Sequence, residues 1–288
     1  MLTFGSLFAG IGGFDLGLER AGMRCVWQVE NDPYAIRVLE KHWPAVRRWP
    51  DVRTFPPTQD WNAFCTWPYA DLICGGFPCQ DISNAGRRVG IHGERSGLWR
   101  DFARIVGVVR PRFVLVENSA ALLGRGIGDV LADLARFGYD AEWDCLPCAA
   151  FGALHIRNRV FLLAYPNERF QTIGRHREVG REQREESVEK AAGKTARGFA
   201  WNNVHDSYRR RRGTPQETVF AGRGGIELSD WWASEPGVGR VVDGLSAGLD
   251  ATRRNRCRCL GNAVVPQVAE WLGRRILEIE ALIVDRLR

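Results

Sequence analysis

Over the first 165 residues, short apolar runs alternate with amphipathic stripes, and that alternation leaves the chain few architectures. Strand-like runs occupy residues 2–8, 25–30, 70–74, 112–118, 139–146 and 160–165. Between them apolar residues recur at helical spacing: Phe14, Gly17, Leu18 and Ala21, then Ala35, Val38, Leu39 and His42. A third stripe joins Leu98, Phe102, Ile105, Val106 and Val109, and a fourth joins Ile127, Val130, Leu131, Leu134 and Phe137. Strands separated by helices predict an α/β fold with a parallel sheet covered on both faces. Ligands of such sheets bind beyond the carboxyl ends of the strands. Glu30, Cys79 and Glu117 fall at those ends.

The pattern breaks after Tyr165. Residues 167–230 are rich in Arg, Glu, Gly and Gln, and read as an insert, a small second domain or loops. Order is expected to return at Trp231 and Trp232, and Pro266 to introduce a last helix. Val268, Trp271, Leu272, Ile276, Ile279 and Ile283 mark the buried stripe of that helix. The division is thus 1–165, an insert at 166–235, and a segment at 236–288 that returns to the first unit.

Charge follows the same division. Residues 166–258 carry 18 Lys/Arg against 13 Asp/Glu, whereas the remainder is nearly balanced at 22 against 21. The excess includes Arg209, Arg210, Arg211 and Arg212. Such a run is either a solvated face or a phosphate-binding surface, and composition does not choose between them. No window of 18 uninterrupted apolar residues and no basic leader with an apolar core is present, so a cytoplasmic protein outside the membrane is expected. Eight cysteines without a regular framework fit reduced thiols. Cys145 with Cys148 and Cys257 with Cys259 lack the second pair and histidines of a zinc site, which argues against metal.

Three local features carry chemistry. In ADLICGGFPCQDIS an apolar run, Leu72, Ile73 and Cys74, meets two glycines, then Pro78 and Cys79. This reads as a buried strand ending in a loop that presents a thiol, the side chain best suited to nucleophilic attack near neutral pH. The turn Phe8-Ala-Gly-Ile-Gly-Gly-Phe14 follows a strand and opens a helix, and its glycines permit close backbone approach to a ligand. Its spacing departs from the dinucleotide GxGxxG pattern, which disfavours NAD. Glu30 ends the next strand, where a carboxylate can accept from two ribose hydroxyls. Turn and acid together suggest a nucleoside-bearing cofactor.

Seven segments in one order complete the pattern: FAGIGGF (8–14), VEND (29–32), GGFPCQDIS (75–83), GERSGLW (93–99), VEN (116–118), HIRNRVF (155–161) and GNAVVP (261–266). In these the chain resembles the DNA (cytosine-5) methyltransferases, which use S-adenosylmethionine (SAM). The resemblance implies a Rossmann-like SAM-dependent methyltransferase sheet with a small target-recognition insert. It assigns Cys79 as the nucleophile on cytosine C6, Glu117 to the N3 and amino edge, Arg159 to O2, and Arg157 as a neighbouring anchor for pocket or phosphate. It places Phe8 against adenine, Ile11, Gly12 and Gly13 in the turn, Glu30 with Asn31 at the ribose, and Asp51 with Val52 at the adenine amino group. Pro78, Leu98, Asn262, Ala263 and Val264 complete the expected SAM pocket. Double-stranded DNA is the implied partner, contacted by Gln80, Ser83 and Arg209 through Arg212. A cognate restriction endonuclease belongs to the same picture, and the protein is expected to act as a monomer.

Two departures matter. His155 stands where the family usually has glutamine. The insert is lean for a target-recognition domain, so a minimal one that orders on DNA and a decayed one are both open. An RNA-directed relative acting on tRNA cytosine and a non-catalytic DNA-binding relative are the alternative readings. Asn31-Asp-Pro-Tyr34 resembles the Asp-Pro-Pro-Tyr motif of amine methyltransferases, but it follows the second strand instead of occupying the Cys79 position. Pro33 reads instead as a first-turn proline, with Asn31 or Asp32 capping its helix.

Overall fold

A computed structural model describes residues 1–57, 67–78, 97–153, 157–167 and 247–286. Cys79, Gln80, Ser83, His155, Arg209, Arg210, Arg211, Arg212, Trp231, Trp232 and nearly all of the insert lie outside the described residues.

The chain alternates as expected through β1 (Thr3–Leu7), α1 (Gly13–Arg20), β2 (Arg24–Val29), α2 (Pro33–His42) and β3 (Arg47–Trp49). A short 3-10 turn, Val52–Thr54, follows, and then β4 (Leu72–Gly76), α3 (Leu98–Val109) and β5 (Phe113–Ser119). Helices α4 (Leu122–Arg125) and α5 (Ile127–Arg136) lead to β6 (Tyr139–Pro147) and, past a 3-10 turn at Cys148–Phe151, to β7 (Asn158–Pro166). Helices α6 (Ala247–Asn262) and α7 (Pro266–Arg286) close the described chain.

The seven strands form one sheet in the order β3-β2-β1-β4-β5-β7-β6. The expectation of a parallel sheet holds for β3 through β5 and fails at β7, which is antiparallel to both β5 and β6. The physical reason is the connection. A parallel crossover needs a connection of a dozen or more residues, usually carrying a helix, and the short stretch between Pro147 and Asn158 carries no helical stripe. The chain turns back and inserts β7 beside β5.

Alternate residues of each strand feed opposite faces. On one face Leu7, Ile73, Val114, Val116 and Leu162 pack with Trp99, Phe102, Ile105 and Val106 of α3 and with Val130 and Leu134 of α5. On the other, Phe4, Leu72, Cys74, Leu115 and Leu163 pack with Phe14 and Leu18 of α1 and with Val268, Ala269, Leu272 and Ile276 of α7. Each such side chain, removed from water, contributes on the order of 2 kcal/mol. Thus the first and last helices share one layer. Their seam is tight: a Cβ on Gly17 would lie 2.5 Å from that of Ala269, and one on Gly273 would lie 2.7 Å from that of Ala21.

Asp15 anchors α1 to the strands beneath it. Its fully buried carboxylate accepts from Gln28 Nε2 at 2.7 Å and from Ser6 Oγ at 3.1 Å. Burial pushes its pKa up, against the opposing pull of these hydrogen bonds. Asp32 caps α2, accepting from the backbone N–H of Tyr34 and Ala35, with Pro33 in the first turn. The Asn-Asp-Pro-Tyr segment is therefore a helix start.

Candidate active site

Three strand ends meet at one edge of the sheet, and each brings a different group. After β1 the chain passes through left-handed conformations at Phe8 (φ 52°), Gly10 (φ 57°) and Gly12 (φ 87°) before α1 begins. Glycine adopts this region without strain, whereas Phe8 is an outlier whose half-buried ring is held at the strand end. Gly10 N donates to Glu30 Oε2 at 2.7 Å, so the carboxylate at the end of β2 fixes the turn after β1. Glu30 Oε1 accepts from Asn31 N at 2.9 Å and Asp32 N at 2.8 Å.

A carboxylate offers about four lone-pair directions. With three taken by these backbone donors, Glu30 Oε2 retains one suited to a hydroxyl among the described residues, where a Cβ built on Gly10 would have Phe8 O, at 4.0 Å, as its nearest non-adjacent neighbour. An open glycine, an aromatic face and a ribose-sized acceptor therefore fit a nucleoside. On the neighbouring β3 end Asp51 caps the 3-10 turn and pairs with Arg53 at 2.8 Å, while Val52 is buried beneath it. The Arg53 hydrogen bond, opposed by modest desolvation, lowers the Asp51 pKa.

The second group lies two strands from β1. Glu117, in β5, is only 8% exposed, and its Oε1 sits 3.1 Å from Arg159 Nε on β7. Desolvation raises its pKa to about 6, although Arg159 and Arg157 pull it down. A carboxyl so placed can hold or release a proton near neutral pH. Its neighbour Asn118 donates from Nδ2 to Phe77 O at 3.0 Å and thereby ties the β5 end to the start of the loop after β4. Pro78, half-buried, is the last described residue before Cys79.

The C-terminal segment supplies the third side. Asn262 ends α6, and Val264 packs so closely on α1 that a Cβ on Gly13 would overlap its carbonyl. Arg157 donates from Nη2 to Ala263 O at 3.0 Å and from Nη1 to Gly261 O. Leu98 starts α3 and packs against the core. The structure thus brings together Phe8, Gly12, Gly13, Glu30, Asn31, Ala263 and Val264 on one side, and Glu117, Arg159 and Pro78 on the other.

Several residues that matter here were not singled out from sequence. Gly76 leaves the space that the Glu117 carboxylate occupies: a Cβ there would lie 2.5 Å from Oε2. The paired glycines of GGFPC were the available signal. Arg258 of α6 forms an ion pair with Asp32, and nothing in its local sequence marks that partner.

Comparisons with known proteins bear on the family. The family model for the C-5 cytosine-specific DNA methylase matches residues 2–226. Type II methyltransferase M2.BsuMI of Bacillus subtilis is 35% identical over 167 residues, covering 55% of this chain and 41% of that protein. Type II methyltransferase M.HhaI of Haemophilus parahaemolyticus is 31% identical over 171 residues, covering 58% and 50%. The chain thus spans about two fifths to a half of the length of these relatives. A crystal structure described as a DNA modification methyltransferase encoded within an E. coli prophage aligns with a TM-score of 0.50 at 25% identity, over 60% of this chain and 48% of that one. The family-model match, over more than half of the chain, places this protein in the C-5 cytosine-specific DNA methylase family.

Proposed function

We propose that the chain methylates C5 of cytosine in double-stranded DNA, taking the methyl group from SAM and passing through a covalent adduct at Cys79. The observation that carries this reading is the buried Glu117–Arg159 pair at the end of β5, next to the strand whose loop leads into Pro78 and Cys79. The Gly10–Glu30 hydrogen bond, on the adjacent strand ends, frames the place for the donor's nucleoside.

Cytosine C5 is a weak nucleophile. In this reading the Cys79 thiolate adds to C6, and the electron pair displaced toward the ring N3 and O2 makes C5 electron-rich. Glu117 binds the N3 edge and shares a proton with it, a role that its raised pKa suits. Arg159 donates to O2 and stabilises the charge that develops there. SAM, when bound, supplies an electrophilic methyl group to C5. Loss of the C5 proton to a base or water then restores the double bond as the Cys79 thiolate leaves.

Such chemistry requires the target base to leave the DNA stack. Gln80 and Ser83 follow Cys79 in sequence, and Arg209, Arg210, Arg211 and Arg212 suit phosphate contacts, which position a protein without specifying sequence. Tritiated SAM offered with DNA and with tRNA tests the substrate. Label in DNA supports the reading, and label in tRNA alone overturns it. Cys79→Ser is expected to abolish methylation and the covalent complex with DNA bearing 5-fluorocytosine while retaining SAM binding. Turnover in that variant would overturn the covalent mechanism.

A further inference from the structure

The two arginines of HIRNR face different partners. Arg159 Nε lies 3.1 Å from the Glu117 carboxylate. Arg157, two residues earlier, sits just before β7 with φ 32°, in a left-handed region that residues with a Cβ rarely adopt. From there its guanidinium donates to Gly261 O and, at 3.0 Å, to Ala263 O. These carbonyls flank Asn262, the last residue of α6. The last carbonyls of a helix have no partner within it, and a cation at that end also meets the negative pole of the helix. The planar fork of arginine is suited to holding two such oxygens at once.

On the other side of the same segment lies the turn after β1. Val264 N and O press on Gly13, with the nitrogen 3.0 Å from where a Cβ would stand. Residues 261–264 are therefore gripped between Arg157 and the Gly12–Gly13 turn, although they lie about 250 residues from that turn in sequence. Among the described residues, Arg258 and Asp32 make a second link, from α6 to the start of α2 beside Glu30.

We propose that Arg157 is a positioning residue for the SAM pocket: it holds the 261–264 segment against the cofactor turn, while Arg159 makes the close contact with Glu117. The inference rests on the proposed function, because it takes the turn and Glu30 as the donor's binding place. It deepens that reading by giving the β7 end a second task. One strand end then fixes both the base edge, through Arg159, and the cofactor wall, through Arg157.

The test is SAM binding by titration calorimetry on the full chain, followed by steady-state kinetics with DNA. Loss of two charge-assisted hydrogen bonds in Arg157→Ala should weaken SAM binding by roughly 10- to 100-fold. The defect should sit in Kd and KM for SAM, with kcat at saturating SAM falling far less. Arg157→Lys, which keeps the charge, should recover part of the affinity. Arg159→Ala should show the opposite split, a fall in kcat with SAM Kd within about threefold of wild type. Hydrogen exchange on the wild-type protein provides a readout independent of variant folding: SAM should slow exchange of the 262–264 amides. Unchanged SAM affinity in Arg157→Ala, or no protection of these amides, overturns the inference while leaving the methyltransferase reading intact. A wild-type protein that binds no SAM overturns both.

Discussion

The Glu117 carboxylate occupies the space that a side chain on Gly76 would need. Their strands are paired, Gly76 opposite Glu117, and a Cβ on Gly76 would stand 2.5 Å from Glu117 Oε2. The carboxylate is also held at 3.1 Å from Arg159 Nε, so it has a defined place to lose.

Gly76→Ala should therefore displace the Glu117 carboxylate without removing any functional group. Misplacement of a catalytic group by about 1 Å costs on the order of 100-fold in rate, and a loss of that order in kcat is expected with SAM affinity retained. Methylation kinetics with saturating SAM check this. Wild-type kcat in the variant would mean that the carboxylate position is not critical.

The raised pKa of Glu117 makes a linked prediction about stability. Its value is about 6 in the fold against an ordinary 4.5, so the native state binds this proton more tightly than the unfolded chain does. The stabilisation is complete below the unfolded value and is lost as pH rises through about 6. Relative to Glu117→Gln, the wild type should thus lose roughly 2 kcal/mol between these limits. Urea denaturation of both proteins across that range measures the difference. Parallel profiles would show that burial does not hold the proton.

Gly13→Ala should drive α1 from the C-terminal segment, because the new methyl group overlaps the Val264 backbone, which cannot rotate away. Overpacking of this kind costs about 1–3 kcal/mol. Both a lower Tm and weaker SAM binding are expected, and a normal Tm would show that the segment moves at no cost.

Asp32→Ala should remove two interactions at once, the cap on the Tyr34 and Ala35 amides and the ion pair to Arg258. Loss of a helix cap costs about 1 kcal/mol. The exposed Arg258 side of the pair adds little by itself. Asp32→Asn, which preserves the cap, should recover most of the stability in thermal melts. If it recovers none, the ion pair with Arg258 dominates.

Much of this architecture is legible in the linear chain because it rests on short-range periodicity. The stripe Leu98, Phe102, Ile105, Val106 and Val109 became α3, and the apolar run at residues 112–118 became β5 with a shift of one residue. Elements without a strong pattern were missed. Strand β3 is three residues of Arg-Arg-Trp, and α6 is a polar helix rich in arginine. Both depend on neighbours for their stability. The antiparallel β7 escaped because an apolar run looks the same in either direction. Only the missing crossover helix distinguished it.

What the sequence determined by itself was the set of strand ends and the chemistry placed on them: Glu30, Pro78, Glu117, Arg157 and Arg159. The apolar runs mark the strands locally, and these residues follow, interrupt or precede them: Glu30 and Pro78 come after β2 and β4, Glu117 lies buried within β5, and Arg157 precedes β7. Tertiary structure alone decided which partners they meet. Arg157 and Arg159 differ by two positions in one motif, yet one grips the carbonyls of Gly261 and Ala263 and the other grips Glu117. That choice arises from the antiparallel insertion of β7 beside β5 and from the packing of the last helix on the first, contacts between residues far apart in the chain that no local pattern encodes.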